Sequence, residues 1–243
     1  MLGWPVHGRV LAAAAIIAAA AGAGGTALAL GASASSHVVS MPAAGRTQAV
    51  LDVRSGTPVL DISVARLHGT LLRASTPASA PVRPVLAGSK LILLSLVGAA
   101  PAPGPGNGGS GYAVRVVLNS AVTWTINLAA GTQRTDVDLR GGKVGGIAET
   151  AGCDILDVSL PVPAGTVPFL LAGGASQFLL SLPGGVPAQV AAGAGAGYLS
   201  LDGQNLTGVA GGTVLTTPGW ATATSRFAIN ATAGVSQLTV SRW

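Results

Sequence analysis

A glycine-led motif recurs along the chain at intervals of about 21 residues. An apolar side chain stands four residues after the glycine and a second one stands six residues after it. From Gly131 to Gly195 the successive glycines are 21, 22 and 21 residues apart. A fixed period of this length is typical of folds built from stacked repeats. The motif begins at Gly56, Gly131, Gly152, Gly174, Gly195 and Gly234, with Thr135 as its one imperfect match.

The alternation within each copy predicts a β-strand with one buried face. Turns rich in Pro or Gly, such as Leu160–Pro168 and Leu182–Pro187, then lead to a second strand. Because units this small cannot bury their apolar face alone, we expect them to stack around one core. The sequence therefore predicts an all-β, single-stack β-solenoid-like domain, about 29 Å tall, rather than a barrel or an immunoglobulin-like sandwich. The short apolar stretch Leu91–Val97 is expected to be one of its strands.

An apolar run near the N-terminus, Val10–Ala32, contains Thr26 as its single polar residue. It is long enough to cross about 30 Å of hydrocarbon as a helix. The helix is either an uncleaved anchor or a signal peptide, since residues 32–34 fit the small-x-small rule for cleavage after Ala34. Arg9 precedes the run and indicates that the N-terminus stays inside.

These features divide the chain into four segments. The predicted location is the cell membrane, with one span and the C-terminal domain outside, or secretion if the chain is cleaved after Ala34. The segments are a cytoplasmic N-terminus at 1–9, a transmembrane anchor or signal peptide at 10–32, a flexible tether at 33–45 and an exported domain at 46–243.

Composition excludes several classes of function. The 13 Lys and Arg residues give a net charge of +5 but are scattered without a run of three, so a nucleic-acid partner is not expected. Cys153 is the single cysteine, which excludes an internal disulfide and a thiolate zinc site. His68 is the one histidine of the exported domain, and no nucleophile elbow or metal-ligand cluster accompanies it. We therefore expect no enzyme activity, no metal and no cofactor.

Alignment of the motif on its glycine produces two columns of outward-pointing polar residues. Every copy has Asp or Ser seven residues after the glycine, and several have Asp two residues earlier. Directly facing carboxylates destabilise a sheet, so we expect arginine side chains or a bound cation to offset them. The columns form either a solvated face that blocks edge pairing or a face that binds a cation or a glycan. The candidate binding residues on this face are Asp61, Asp136, Asp138, Asp157 and Asp202.

The interval from Gly195 to Gly234 contains an insertion, Gly203–Thr222, which we predict to be a loop. Insertions in stacked-repeat folds lie in loops and often carry binding sites. Trp220 near the end of this loop is either an anchor for a partner or for membrane headgroups, or a side chain that packs where the loop covers a sheet edge.

Four stretches of the exported part carry a resemblance to a known family: Leu51–Val64, Leu180–Val190, Leu199–Gly203 and Ala233–Val240. On these stretches, residues 45–243 resemble the toastrack-type adhesin family of bacterial envelope proteins. The resemblance implies a β-solenoid-like envelope domain and carries over no catalytic residues.

Together these features predict a non-enzymatic, adhesin-like module of the cell envelope. The module would be tethered outside the membrane and would bind another envelope protein or a glycan, or assemble with a second copy of itself. In one version of this role, it is accessory to envelope signalling. The alternative is a released adhesin that binds glycans or surfaces. A hydrolase whose site the sequence does not reveal is a third reading.

Overall fold

A computed structural model describes residues 36–98 and 111–243. Within these ranges the chain is all-β, so this prediction is confirmed. No helix in the same ranges is long and apolar enough to cross a bilayer. The membrane helix predicted at 10–32 lies outside the described residues.

The described residues form nineteen strands in two mixed sheets, which we call sheet A and sheet B. The strands are β1 (His37–Pro42), β2 (Gln48–Val53), β3 (Thr57–Ala65), β4 (Thr70–Thr76), β5 (Val82–Ala87), β6 (Leu91–Gly98), β7 (Ala113–Asn119), β8 (Thr123–Leu128), β9 (Thr132–Asp138), β10 (Lys143–Glu149), β11 (Cys153–Ser159), β12 (Thr166–Leu171), β13 (Ala175–Leu182), β14 (Ala188–Ala192), β15 (Ala196–Leu201), β16 (Gln204–Val209), β17 (Thr213–Thr216), β18 (Arg226–Ala231) and β19 (Val235–Arg242). Sheet A has the order β1-β4-β7-β3-β9-β11-β13-β19-β15-β16, and sheet B has the order β17-β14-β18-β12-β10-β8-β2-β6-β5.

Much of the chain crosses from sheet B to sheet A and back, one strand at a time. β8, β10, β12 and β14 lie in sheet B, and each is followed directly by a strand of sheet A. Neighbours in the middle of both sheets are parallel, whereas β1, β4, β5, β16 and β17 pair antiparallel near the edges. Each crossing pair corresponds to one copy of the sequence repeat.

The order of these pairs in space differs from their order in the chain. In sheet A, β3 lies between β7 and β9, and β19 lies between β13 and β15. Parallel strands form the same ladder of hydrogen bonds whatever their sequence separation, because crossover connections can pass over intervening units. The repeat spacing therefore specifies the units but not which units are neighbours.

The core lies between the two sheets and is filled by the apolar residues of the alternating pattern. Trp124, Phe169, Phe178 and Phe227 are fully buried there. The rings of Phe169 on β12 and Phe178 on β13 lie 4.8 Å apart, so they pack across the interface between the sheets. The Trp124 indole N–H donates to the backbone oxygen of Asn119 at 3.0 Å, which satisfies the one polar group of this side chain.

Each glycine that begins a repeat lies immediately before a strand of sheet A. Gly152 and Gly195 have positive φ angles of 86° and 89°. A Cβ on Gly152 would lie 2.7 Å from the oxygen of Gly173, and one on Gly195 would lie 2.5 Å from the oxygen of Val209. At Gly152 and Gly195, glycine is therefore required both by the positive φ and by the close approach of a neighbouring backbone.

Two segments differ from their predictions. Residues 33–45 are predicted to be a flexible tether, but His37–Pro42 is strand β1 and pairs with β4. The predicted loop Gly203–Thr222 contains β16 and β17, which pair with β15 and β14 at the edges of sheets A and B. Both segments pair with a strand near the edge of a sheet, where unpaired backbone N–H and C=O groups are available for a further strand.

Candidate functional site

The two polar columns form register rows on the outer face of sheet A. Neighbouring strands place their members side by side, so the alignment on glycine predicts this geometry correctly. The aspartate row runs Asp61, Asp136, Asp157, Leu179, Thr239, Ser200 across β3, β9, β11, β13, β19 and β15. The serine row runs Ser63, Asp138, Ser159, Ser181, Ser241 across the first five of these strands.

Arg134 offsets the facing carboxylates of the aspartate row. Its Nε donates to both carboxylate oxygens of Asp136 at 3.0 and 2.8 Å, and its Nη2 donates to Asp136 Oδ1 at 2.7 Å. The same Nη2 lies 3.9 Å from Asp157 Oδ2. Partial burial and the neighbouring Asp136 carboxylate raise the pKa of Asp157, while Arg134 opposes this shift. The arginine therefore neutralises Asp136 more completely than Asp157.

Asp138 in the serine row is paired with Arg140, which lies closer to it than Arg134 lies to Asp157. The guanidinium donates to the two carboxylate oxygens at 3.0 and 2.7 Å, and the Arg140 backbone N–H donates to Oδ1 at 3.1 Å. These hydrogen bonds hold the pKa of Asp138 below its ordinary value. At the far end of the aspartate row, Asp61 Oδ2 lies 3.5 Å from Nε of Arg115 on β7.

Asp202 lies beside these rows rather than in them. It follows β15 in a turn and has a φ of 49°, in the left-handed region that aspartate tolerates better than most residues. Its two carboxylate oxygens accept hydrogen bonds from Arg242 of β19, both at 2.7 Å. The structure thus brings Asp61, Asp136, Asp138 and Asp157 together on one face and ties Asp202 to the end of β19.

Trp220 is separate from the aspartates and lies in the loop before β18. Its indole N–H donates to the backbone oxygen of Phe227 at 2.9 Å, and the Arg226 guanidinium lies over the ring, 4.5 Å from its centroid. Arg226 also donates to the backbone oxygen of Trp220 at 2.8 Å. The side chain is half-buried and held from several directions, which is the geometry of a packed residue.

The outer face of sheet A offers hydrogen-bonding groups rather than reactive ones. Aspartate oxygens, arginine N–H groups and Ser or Thr hydroxyls repeat at the strand spacing of about 4.8 Å. Among residues 36–98 and 111–243, no three His, Cys, Asp or Glu side chains are grouped as ligands for a metal ion. His68 is exposed in the turn between β3 and β4. The face is suited to recognising a polar surface.

The sequence analysis did not predict a groove that runs along the repeat glycines. The regular spacing of these glycines is the sequence feature that could have indicated it. It has a volume of about 670 Å³ and is lined by Gly56, Gly131, Gly152, Gly174 and Gly234 with the residues that follow them. Because the glycines have no side chains, successive strand starts leave this space open.

Two titratable groups lie at the glycine groove or beneath it. The Cys153 thiol lines it, and burial, assisted by nearby carboxylates, raises its pKa to about 12. Glu149 is buried and accepts hydrogen bonds from the N–H groups of Ala151 and Gly152 at 3.0 and 2.5 Å, while its Oε2 has no hydrogen-bond partner among the described residues. Burial raises the pKa of this carboxyl group as well. A largely protonated thiol is a poor nucleophile or metal ligand.

The fold has a counterpart among solved structures. The chain is similar to the crystal structure of a "putative cell adhesion protein" from Clostridium sporogenes ATCC 15579, with a TM-score of 0.67 and 14% sequence identity. The likeness covers 86% of this chain and 99% of the other one. No protein-family model matches the sequence, and the search of curated proteins gives no match. At this identity the likeness shows a shared all-β fold, and the family named above remains a resemblance.

Proposed function

We propose that this protein is a non-enzymatic, adhesin-like module of the cell envelope that binds its partner through the outer face of sheet A. The observation that carries the proposal is the pair of register rows, where four aspartates, their arginine partners and a series of hydroxyls lie on one sheet face. The shared fold with a protein named for cell adhesion supports the same role.

The chemistry of these rows favours a polyhydroxylated partner such as a surface glycan. Sugar hydroxyls both donate and accept hydrogen bonds, so they can pair with carboxylates and with arginine N–H groups. Rows at the strand spacing of about 4.8 Å present these groups repeatedly, as a polymer would require.

We further propose that the crossing strand pairs are the rungs of a two-sheet β-solenoid, displayed outside the membrane by the N-terminal segment. Parallel neighbours and strands that alternate between the sheets support the solenoid interpretation. The apolar run Val10–Ala32 supports the membrane tether. A released form, cleaved after Ala34, is the alternative.

The binding role is tested with purified full-length protein and with the double variant Asp136→Asn plus Asp157→Asn. The measurement is retention of the protein on washed envelope fractions from the producing cells and on immobilised surface glycans. We expect the double variant to be retained several-fold less, because two acceptor groups at the centre of the face are changed. Asp154→Asn is the matched control, since this exposed aspartate is on β11 but outside both rows. Equal retention of wild type and double variant would refute the proposed face.

The display mode is tested by the intact mass of the protein recovered from membranes and from culture medium. A full-length product confined to membranes supports the anchored module. A product that begins at Ser35 in the medium supports the released adhesin and moves the search for ligands to surface glycans.

A further inference from the structure

The outer face of sheet B has a pocket of very different charge from the face of sheet A. Its volume is about 470 Å³, within the range of about 300–1,000 Å³ for small-ligand sites. Two cations, Arg46 and Lys90, line it. Besides Ala49 and Val50, its lining also includes Gln48 of β2, Thr123 and Thr125 of β8, and Gly145 of β10, which with the two cations make six residues. We call these six residues the basic pocket.

Sheet register explains why these residues meet. Gln48, Thr123 and Lys143 are register partners on β2, β8 and β10, so their side chains share one face. Val144–Gly146 contains an irregularity in the pairing of β10 with β8. A Cβ at Gly145 would lie 3.3 Å from Thr125 Oγ1, so the absence of a side chain there keeps the Thr125 hydroxyl accessible. A smaller pocket that shares Thr123 and Gly145 adds Lys143 beside the first one.

The cations of the basic pocket have no carboxylate partners. In the part of the chain that the structure describes, no acidic oxygen lies within 4.0 Å of Arg46, Lys90 or Lys143. Nη1 of Arg46 donates to the backbone oxygen of Pro42 at 3.0 Å, which positions the guanidinium, and its Nε and Nη2 have no protein acceptor among residues 36–98 and 111–243. Unpaired cations beside hydroxyl and amide groups provide a favourable site for an anion that also carries hydrogen-bonding groups.

We propose that the basic pocket binds carboxylate-bearing sugars, such as the uronic acid residues of an acidic polysaccharide. The carboxylates would pair with Arg46 and Lys90, and the ring hydroxyls would pair with Gln48, Thr123 and Thr125. This site goes beyond the proposed function, because it lies on the opposite sheet from the aspartate row. Four aspartates make the sheet A face unfavourable for the same ligand, so an acidic sugar discriminates between the two faces.

The test is calorimetric titration of the full-length protein with tetragalacturonic acid, with its methyl ester as a neutral probe. We expect one saturable site per chain that weakens as the salt concentration rises, and weaker binding of the ester. Lys90→Gln should weaken binding by about two- to fivefold, as expected for an exposed ion pair. Thr125→Val should weaken it by about fivefold through the loss of one hydrogen bond.

Matched variants separate this site from general charge effects and from the proposed function. Arg66→Gln removes one exposed positive charge outside the pocket and should leave the affinity unchanged. Asp136→Asn plus Asp157→Asn, which tests the face of sheet A, should also bind tetragalacturonic acid like the wild type. The proposal is overturned if the wild type does not bind the acid, if the ester binds equally well, or if Arg66→Gln weakens binding as much as Lys90→Gln does.

Discussion

Asp136 on β9 and Asp157 on β11 are register partners in a parallel pair, so two carboxylates stand side by side on the outer face of sheet A. Arg134 is bonded to Asp136 at 2.7 Å but is 3.9 Å from Asp157. This unequal sharing leaves Asp157 in a less favourable environment than Asp138, which has its own arginine. We therefore expect Asp138 and Asp157 to have opposite effects on the free energy of unfolding.

The first prediction is that Asp157→Asn stabilises the protein at pH 7 and Asp138→Asn destabilises it, each by up to about 1 kcal/mol. The raised pKa of Asp157 means that its contribution to stability is present at low pH and is lost as the pH rises through the folded pKa. The lowered pKa of Asp138 means that its contribution is present above the ordinary pKa of aspartate and is lost as the pH falls through the folded pKa.

Urea denaturation of the two variants and the wild type at pH 7 and pH 3 measures these effects. Both differences from wild type should be smaller at pH 3, which lies below the ordinary pKa of aspartate. A loss of stability of the same sign and size in both variants at pH 7 would contradict the unequal sharing of Arg134.

The second prediction concerns Trp220. Replacement by Ala removes the hydrogen bond to Phe227 and the contact with Arg226, and we expect a loss of about 1–3 kcal/mol of unfolding free energy. Trp220→Phe keeps a ring under Arg226 and should lose less. Thermal melting measures both variants. An unchanged melting temperature together with weaker retention on envelope fractions would instead identify Trp220 as a binding anchor.

The third prediction is that two neighbouring glycine positions differ sharply in their tolerance of alanine. A Cβ on Gly173 would lie 2.0 Å from the backbone nitrogen of Gly152, whereas a Cβ on Gly234 meets no atom within 4 Å. Gly173→Ala should destabilise the fold by at least about 2 kcal/mol, and Gly234→Ala should change stability by less than about 0.5 kcal/mol. Melting temperatures of the two variants are the measurement, and similar values for both would show that the units do not approach so closely.

The repeat made six strands of sheet A and their register predictable, because a period of two specifies which residues face outward and each repeat glycine specifies where one of these strands starts. Asp136, Asp157 and Ser159 could therefore be aligned with their neighbours without a structure. The position of β3 between β7 and β9 could not be predicted, since the repeat contains no information on which parallel neighbour a strand selects.

The basic pocket was unpredictable for the same reason. Arg46, Lys90 and Thr125 are far apart in the sequence and belong to no common motif. They meet because β8 and β6 flank β2 in sheet B. The basic pocket depends on which strands are neighbours in the sheet, and strand order leaves no local pattern in the sequence. The aspartate row depends on the register of the repeat, which is visible in the sequence.

The fourth prediction concerns Glu149, whose carboxyl group is buried with one unpartnered oxygen. Burial raises its pKa, so the protonated form favours folding and this stability is lost as the pH rises through the folded pKa. As the pH rises above the ordinary pKa of glutamate, the wild type should therefore lose stability that Glu149→Gln retains. The glutamine oxygen can still accept from the N–H groups of Ala151 and Gly152, so the turn into β11 keeps its hydrogen bonds.

Urea denaturation of Glu149→Gln across this pH range is the measurement, and Asp154→Asn is the control because it removes an exposed carboxylate five residues away. The control should follow the pH dependence of the wild type. If Glu149→Gln also follows it, ionisation of this carboxyl group costs the folded protein no stability, and a cation or a hydrogen-bond donor must compensate its charge. Because Glu149 sits at the turn beside Gly152, that result would redirect the search for a ligand to the groove itself.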